Sequence, residues 1–331
     1  MKKVAINGFG RIGRAFFRLA FGHAKLEIVA INDPFITPEA ARYLLTYDSV
    51  YHRYGKTVVA VDGGIEVDGT EIPILAEKDP KALPWGKMGI DLVIESTGVF
   101  LTREKASLHL QAGAKRVLLS APPKDEDIPQ FVYGVNHKTY NPDKDKIVAA
   151  ASCTTNSLAP VAHVLEREFG IVHAFLTTVH AYTADQRLVD SPHKKFVRGR
   201  AAAANIVPTS TGAAKATTKV IPALAGKMDG MAFRVPVPSG SVSDFTVEMK
   251  RDVTVDEVNA ALKRYAQGEL KDVLGVSEDP IVSSDVIGNS HASLVDLVST
   301  TVVDGRLLKV VTFYDNEWGY TNQLVRVAAF V

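Results

Sequence analysis

Gly8-Phe9-Gly10-Arg11-Ile12-Gly13 is the stretch on which the fold turns. Alone, a G-x-G-x-x-G run is a weak signal, but here its neighbours complete it. Lys3–Asn7 (KVAIN) is an apolar run of strand type. From Arg11 to Gly22 apolar residues recur at Ile12, Phe16, Leu19 and Ala20, which is helical spacing. Glu27–Asn32 (EIVAIN) is a second strand, and Asp33 follows it, 20 residues past Gly13. Strand, glycine turn, helix, strand and acid together form a dinucleotide-binding context. Gly8 permits the tight turn, Gly10 lets the backbone approach a pyrophosphate, and Gly13 lets helix and strand pack closely. The helix N-terminus presents N–H donors and a positive dipole end. Asp33 would accept hydrogen bonds from ribose hydroxyls and repel a 2′-phosphate. The competing reading is a glycine-rich turn with no ligand.

Working outward, Pro38–Tyr47 reads as a helix and Asp91–Ser96 (DLVIES) as a strand. Val117–Ser120 (VLLS), Phe131–Val135 (FVYGV) and Ile147–Ala151 (IVAAA) read as further strands, with Arg103–Ala112 a helix among them. This alternation predicts α/β architecture, a parallel sheet covered by helices on both faces. Thr57–Ala76, broken by Asp62-Gly63-Gly64 and Asp68-Gly69, reads as a hairpin insertion. The second half differs. Phe245, Val247 and Met249 alternate with polar residues, and Leu307–Tyr314 (LLKVVTFY) is strong strand sequence, so an antiparallel or mixed sheet is expected. Thr254-Val255-Asp256-Glu257 is a capping box, opening a helix with Val258, Leu262 and Tyr265 inward. Tyr182–Ala204 is long, poorly periodic and basic, which marks either a functional loop or a solvated one.

Composition narrows the function classes. The chain has 331 residues, 46% hydrophobic and 23% charged, which excludes bulk disorder and favours two domains. With 38 Lys+Arg against 37 Asp+Glu, no strong global field recruits nucleic acid, and no dedicated nucleic-acid site is evident. No apolar run is long enough to span a membrane. Cys153 is the only cysteine, so a disulfide scaffold and a multi-thiolate metal site are excluded, and no metal site is expected. A cytoplasmic location is expected.

Cys153 sits in Ala150-Ala151-Ser152-Cys153-Thr154-Thr155-Asn156-Ser157, after a strand and before a helical face of Leu158, Val161, Leu165 and Phe169. A helix N-terminus favours thiolate over thiol. Pro160 suits only a first turn and blurs the helix start. A lone cysteine also serves as an inert core residue; the flanking hydroxyls weigh against that. His180 ends the strand Ala174–His180 (AFLTTVH) and is either a base for Cys153 or a structural histidine. Thr209–Lys215 (TSTGAAK) is a hydroxyl-rich turn into a helix, an anion cradle or a simple cap. Arg234 is a phosphate fork or a strand-edge ion pair.

Together these pieces closely resemble the phosphorylating glyceraldehyde-3-phosphate dehydrogenases. INGFGRIGR (Ile6–Arg14), ASCTTNSLAP (Ala151–Pro160), LTTVHAYTADQ (Leu176–Gln186), STGAAKA (Ser210–Ala216) and YDNEWGY (Tyr314–Tyr320) match the family in order, over essentially the whole chain. ASCTTN is the most specific of them. The resemblance implies that Cys153 is the nucleophile and His180 its base. Arg11, Ile12, Asp33, Lys78, Ser120 and Asn316, with Gly8, Gly10 and Gly13, would hold NAD. Thr183 and Arg234 would grip the substrate's phosphate, with Arg198 a further anion contact. Ser152, Thr154, Thr211 and Gly212 would form the site of the attacking inorganic phosphate. A Rossmann-type NAD-binding domain (1–151 plus a C-terminal helix 316–331) and an α+β catalytic domain (152–315) on a mixed, largely antiparallel sheet are implied. So are an S-loop at 182–204 reaching a neighbouring subunit's cofactor, and a homotetramer.

The implied reaction is a glycolytic one: oxidative phosphorylation of glyceraldehyde 3-phosphate through a Cys153 hemithioacetal and thioester. Ser157 stands where many members carry a second cysteine, and Ser191 where many bacterial members have a larger apolar residue. Asp33 and Pro192 favour NAD over NADP. The rival readings are an erythrose-4-phosphate dehydrogenase, a semialdehyde dehydrogenase, for which no carboxylate-and-amine pocket is evident, and a nucleotide- or RNA-binding role.

Overall fold

The structure is a computed structural model that describes residues 1–331. It divides into two compact units, one of Met1–Phe131, Thr139–Ala151 and Leu324–Val331, the other of Val132–Lys138 and Ser152–Gln323. In the last helix the division falls at Leu324 rather than at Asn316.

The first unit contains β1 (Lys2–Asn7), α1 (Arg11–Ala20), β2 (Leu26–Asn32), α2 (Pro38–Thr46), β3 (Val58–Val61), β4 (Gly64–Val67) and β5 (Thr70–Leu75). It continues with α3 (Trp85–Met88), β6 (Leu92–Glu95), α4 (Arg103–Gln111), β7 (Arg116–Leu119) and β8 (Ile147–Ala149). The strands form one sheet in the order β3-β4-β5-β2-β1-β6-β7-β8. All pairs from β5 to β8 are parallel, and β3 and β4 add antiparallel edges. The chain builds outward from β1 through β2 and β5, then returns to β6 on the other side of β1. Strand order therefore reverses beside β1, where such sheets open a crevice at the carboxyl ends of their strands.

The glycine turn sits at that point. Gly8 has φ of +96°, a conformation that side chains rarely adopt, and a Cβ there would lie 2.7 Å from the Thr97 nitrogen. A Cβ on Gly13 would lie 2.0 Å from the Gly8 carbonyl oxygen. A Cβ on Gly10 would meet nothing within 4 Å. Helix α1 then buries Ala15, Phe16, Phe17 and Ala20 and stops at Phe21, before Gly22 in the left-handed region.

The second unit contains α5 (Cys153–Glu168), β9 (Ile171–Ala181), β10 (Val207–Ser210), α6 (Ala213–Val220), β11 (Met228–Val235) and β12 (Ser241–Met249). It continues with α7 (Val255–Gln267), β13 (Leu274–Ser277), β14 (Ser293–Val303), β15 (Leu307–Tyr314) and the first half of α8 (Trp318–Phe330). Its sheet runs β10-β11-β9-β12-β15-β14-β13. The β11–β9 and β13–β14 pairs are parallel and the others antiparallel, a mixed and mainly antiparallel sheet. Phe245, Val247 and Met249 are fully buried on the inner face of β12. The capping box of α7 is formed in both directions, and Val258, Leu262 and Tyr265 face inward.

Three local expectations change. Phe131–Val135 is not a strand: Gly134 turns the chain at φ +84°, the Asn136 side chain captures the Val132 N–H, and only Gln130 bridges to Ala149. Thr57–Ala76 is more than an inserted hairpin, because β5 pairs in parallel with β2 through Ile31↔Ile74 and Asn32↔Leu75 and becomes part of the main sheet. Pro160 lies inside α5, which begins at Cys153. The helix forgoes the bond that residue 160 would donate to the Asn156 carbonyl, and burial of Leu158, Ala159, Val161 and Ala162 around it offsets the loss.

The close Gly13–Gly8 approach makes a prediction. Gly13→Ala forces helix and turn apart, a strain of about 1–3 kcal/mol, and thermal unfolding is expected several degrees lower. Gly10→Ala meets no atom and is expected to unfold near the wild-type temperature. Equal melting temperatures for Gly13→Ala and wild type would show that the contact relaxes freely.

Candidate active site

The two units carry separate parts of the chemistry. In the first, a cavity of about 430 Å³ opens over the carboxyl ends of β1, β2 and β6. Gly8, Gly10, Asp33 and Lys78 line it, as the sequence predicts. Asn7, Asn32, Glu77, Ser96 and Thr97 line it too and were missed. Their signal was positional, since most of them end or directly follow neighbouring parallel strands. The Asp33 carboxylate accepts from the Phe9 N–H at 2.8 Å and from the Phe35 N–H at 3.0 Å. These bonds tie it to the glycine turn and leave lone pairs for a ligand.

Other expected residues stand apart from the cavity wall. The Arg11 guanidinium is paired with Asp48 at 2.6 Å and lies over the Tyr51 ring, which turns it away from the cavity wall. Ile12 and Gly13 pack behind the turn. Ser120 follows β7, its N–H bonded to the Glu95 carbonyl at 3.0 Å.

In the second unit, Cys153 is the first residue of α5 and His180 the penultimate residue of β9. The Cys153 Sγ lies 3.3 Å from the His180 Nε2. The His180 Nδ1 lies 2.7 Å from the Ala181 carbonyl, so Nδ1 carries the proton and Nε2 offers a lone pair to the thiol. His180 is buried while Cys153 is half-buried. Burial pushes the thiol up, and the Arg234 guanidinium and bonds around Thr154 pull it down. Burial, aided by the Arg234 charge, pulls the imidazole down to about 3, against the Ala181 bond. The chain approaches Cys153 through Ala151 at φ +55°, a strained conformation for a residue with a Cβ.

The hydroxyls around the thiol have structural partners. Ser152 caps α5, its Oγ accepting from the Thr155 N–H at 3.1 Å. The Thr154 Oγ1 points inward, 2.9 Å from the Tyr314 hydroxyl, which in turn lies 2.8 Å from the Thr178 Oγ1. Thr211 caps α6 by accepting from the Ala213 N–H at 3.2 Å, with Gly212 between them. In the TSTGAAK turn the Thr211 hydroxyl is thus engaged by the first N–H of the helix, as the capping reading expects.

Arg234 and Arg198 differ sharply. Arg198 is neutralised by Asp185 and also donates to the Thr209 Oγ1 at 3.1 Å. Arg234 has no carboxylate partner. Its Nη1 donates to the Ala181 carbonyl at 3.0 Å and the Thr183 Oγ1 at 3.2 Å, while its buried Nε has no acceptor. A largely buried guanidinium without a counter-ion is a strong anion-binding feature. Asn316 is buried, its Oδ1 accepting from the Ser241 Oγ at 2.9 Å, which leaves its amide N–H₂ as the free end.

Comparison with known proteins now decides the family. Residues 2–103 match "Glyceraldehyde 3-phosphate dehydrogenase, NAD binding domain", and residues 152–316 match the C-terminal domain of the same family. The chain belongs to the glyceraldehyde-3-phosphate dehydrogenase family. It is 52% identical to the glyceraldehyde-3-phosphate dehydrogenase of Geobacillus stearothermophilus over 329 residues, 99% of this chain and 98% of that protein. It is 49% identical to glyceraldehyde-3-phosphate dehydrogenase 1 of Bacillus subtilis, again over 99% and 98%. Glyceraldehyde-3-phosphate dehydrogenase 1 of Kluyveromyces lactis is 49% identical over the full length of both chains. The dinucleotide of this family's N-terminal domain is NAD, and the cavity fits it: Gly10, where a Cβ would meet no atom, leaves room for a pyrophosphate, and Asp33 lines the wall with a negative charge.

The His180 geometry predicts two effects of His180→Asn. Turnover is expected to fall by about 10²–10⁴-fold, the usual worth of a positioned base, and iodoacetamide is expected to alkylate Cys153 more slowly at neutral pH. Acid sensitivity is expected to ease as well. The unfolded chain protonates this histidine near its ordinary value of 6.5, while the folded chain resists until about 3. Stability is therefore lost as pH falls through that window, and the variant loses less. Alkylation rates unchanged by the substitution would remove His180 from the role of base.

Proposed function

We propose that this chain catalyses the NAD-dependent oxidative phosphorylation of D-glyceraldehyde 3-phosphate to 1,3-bisphosphoglycerate. The observation that carries the reading is the 3.3 Å approach of the lone thiol to the free nitrogen of a buried, tautomer-fixed imidazole. Residues Gly8, Gly10, Arg11, Ile12, Gly13, Asp33, Lys78 and Ser120 would hold NAD, and Asn316 is the further contact that the family resemblance implies. When bound, NAD supplies the hydride acceptor.

The chain's own residues do the rest. The Cys153 thiol gives its proton to the His180 Nε2, and the sulfur bonds to C1 of the aldehyde. The Cys153 backbone N–H, at the first position of a helix, meets the oxyanion, which takes the proton back to become the hemithioacetal hydroxyl. His180 Nε2 accepts that hydroxyl proton again as C1 is oxidised, leaving a thioester on Cys153. Inorganic phosphate attacks the thioester, the carbon–sulfur bond breaks, and the thiolate recovers a proton from the imidazolium. Arg234 and Thr183 would hold the substrate's C3 phosphate, with Arg198 behind them. Ser152, Thr154, Thr211 and Gly212 would border the attacking phosphate, mostly through the helix N-termini that they cap or begin.

A homotetramer is the assembly this reading favours. Phe175 on β9 is 67% exposed, and Leu188 and Phe196 in the basic 182–204 segment are 82% and 89% exposed, an apolar surface that subunit contacts would cover. Sedimentation of a stable monomer at working concentration would refute this. A mechanism that needs a reduced thiol suits the cytoplasm; recovery of the protein from an oxidising compartment would count against that placement.

The direct test is NADH formation from glyceraldehyde 3-phosphate with and without inorganic phosphate. Sustained turnover is expected only with phosphate, and phosphate-independent turnover would replace phosphorolysis by hydrolysis. Arg234→Leu separates this reaction from generic aldehyde oxidation. Two charge-assisted bonds of about 1.5–3 kcal/mol each correspond to about 10²–10⁴-fold in kcat/KM. That loss is expected for glyceraldehyde 3-phosphate and a far smaller one for unphosphorylated glyceraldehyde. Equal losses on both would mean that Arg234 supports the thiol rather than the phosphate.

A further inference from the structure

Beneath the cofactor cavity lies a buried polar network that the reaction does not use. Glu95, at the end of β6, and His109, on α4, are both fully buried. The Trp85 Nε1 donates to the His109 Nδ1 at 3.1 Å, which places the ring proton on Nε2, directed at the Glu95 Oε2 at 3.1 Å. The Asn7 Nδ2 donates to the same oxygen at 2.6 Å. The other carboxylate oxygen accepts from the Thr97 N–H at 2.8 Å and from the Thr97 hydroxyl. Four donors thus converge on one carboxylate in a site without solvent, so every donor is satisfied only if both carboxylate oxygens accept.

The network does not end there. The Asn7 Oδ1 accepts from the Asn32 Nδ2 at 2.7 Å, and the Asn32 side chain closes a two-way bond with Glu77, accepting from its N–H and donating to its carbonyl, each at 2.9 Å. On the other arm the Thr97 Oγ1 accepts from the Val99 N–H at 3.0 Å. Asn7, Asn32, Glu77, Thr97 and Val99 all line the cavity. The Glu77 backbone fixes the amide orientation of Asn32, and the Asn32 donor and the Glu95 carboxylate together fix that of Asn7.

We propose that Glu95 is a positioning residue for the NAD cavity. Its buried carboxylate, held by His109, fixes the Asn7 amide and the Thr97 turn, and so supports the Thr97–Val99 wall directly and the Glu77–Lys78 wall through the Asn7–Asn32 bond. The inference rests on the NAD reading of that cavity. Glu95→Gln keeps the shape and puts an N–H₂ where an acceptor is needed. It then faces either the two Thr97 donors or the Asn7 and His109 donors. His109 cannot turn acceptor at Nε2, because Trp85 already donates to Nδ1. The mismatch passes to Asn7, Asn32 and the walls.

The test is calorimetric titration with ADP-ribose, together with iodoacetamide alkylation of Cys153 without ligand. Glu95→Gln is expected to weaken ADP-ribose binding by about 10-fold or more while leaving the Cys153 alkylation rate at the wild-type value. Trp85→Phe removes a distant donor and keeps Glu95, Asn7 and Thr97 in place, so it is expected to melt earlier but to bind ADP-ribose like wild type. If Glu95→Gln does not fold, the pair Thr97→Val and Thr97→Ser carries the test. Loss of affinity in the first and retention in the second is expected, because only serine keeps the hydroxyl. Glu95→Gln binding ADP-ribose within about twofold of wild type, a loss in Trp85→Phe as large as in Glu95→Gln, or equal affinities for the two Thr97 variants would overturn the proposal. Wild-type protein that fails to bind ADP-ribose would overturn the cofactor reading itself.

Discussion

The pairing of β11 with β9 sets Arg234 opposite His180, and the chemistry of the second unit depends on that register. Neighbouring residues in register share a sheet face, so the guanidinium and the imidazole arrive side by side. A slip of one residue would turn Arg234 to the opposite face and leave the thiol without a nearby cation. The same strand end places the Ala181 carbonyl where it serves both groups, accepting from the His180 ring and from Arg234. One backbone oxygen thus fixes the tautomer of His180 and the direction of the Arg234 guanidinium.

Arg234 has opposite effects on its two neighbours. Its charge lowers the thiol against burial, and it joins burial in disfavouring a protonated imidazole. The result is a base with an open nitrogen across the physiological range and a nucleophile relieved of part of its desolvation penalty. Arg198, by contrast, is already neutralised by Asp185. Of the two arginines, only Arg234 keeps an uncompensated charge for a phosphate to meet, and its buried Nε has no acceptor.

What the sequence made legible was local. Gly8, Gly10, Gly13 and Asp33 lie within one strand–helix–strand unit, and the Thr254–Glu257 box spans a single turn, so spacing alone identifies them. The placement of Cys153 at a helix start was legible for the same reason. The hydrogen-bond and ion-pair partners of individual side chains were not. Thr154 reads as a hydroxyl flanking the thiol, but its partner Tyr314 lies 160 positions away and draws it inward. Arg198 reads as one more cation in a basic loop until the fold brings Asp185 to it. Phe131–Val135 has strand composition, and only the turn at Gly134 with the Asn136 side chain shows why it cannot pair.

Ser157 shows how little tolerance surrounds the nucleophile. It lies one helical turn after Cys153, is fully buried, and its hydroxyl has no hydrogen-bond partner. An unsatisfied buried hydroxyl carries a penalty of about 1–3 kcal/mol, and an apolar residue or a thiol at that position would avoid it. The chain nevertheless keeps an oxygen there, and Cys153 is its only sulfhydryl. With a serine at that turn, the reactive sulfur has no second thiol anywhere in the chain with which to close a disulfide. Cys153 is thus protected from internal capture by composition, whereas its orientation toward His180 is secured by geometry.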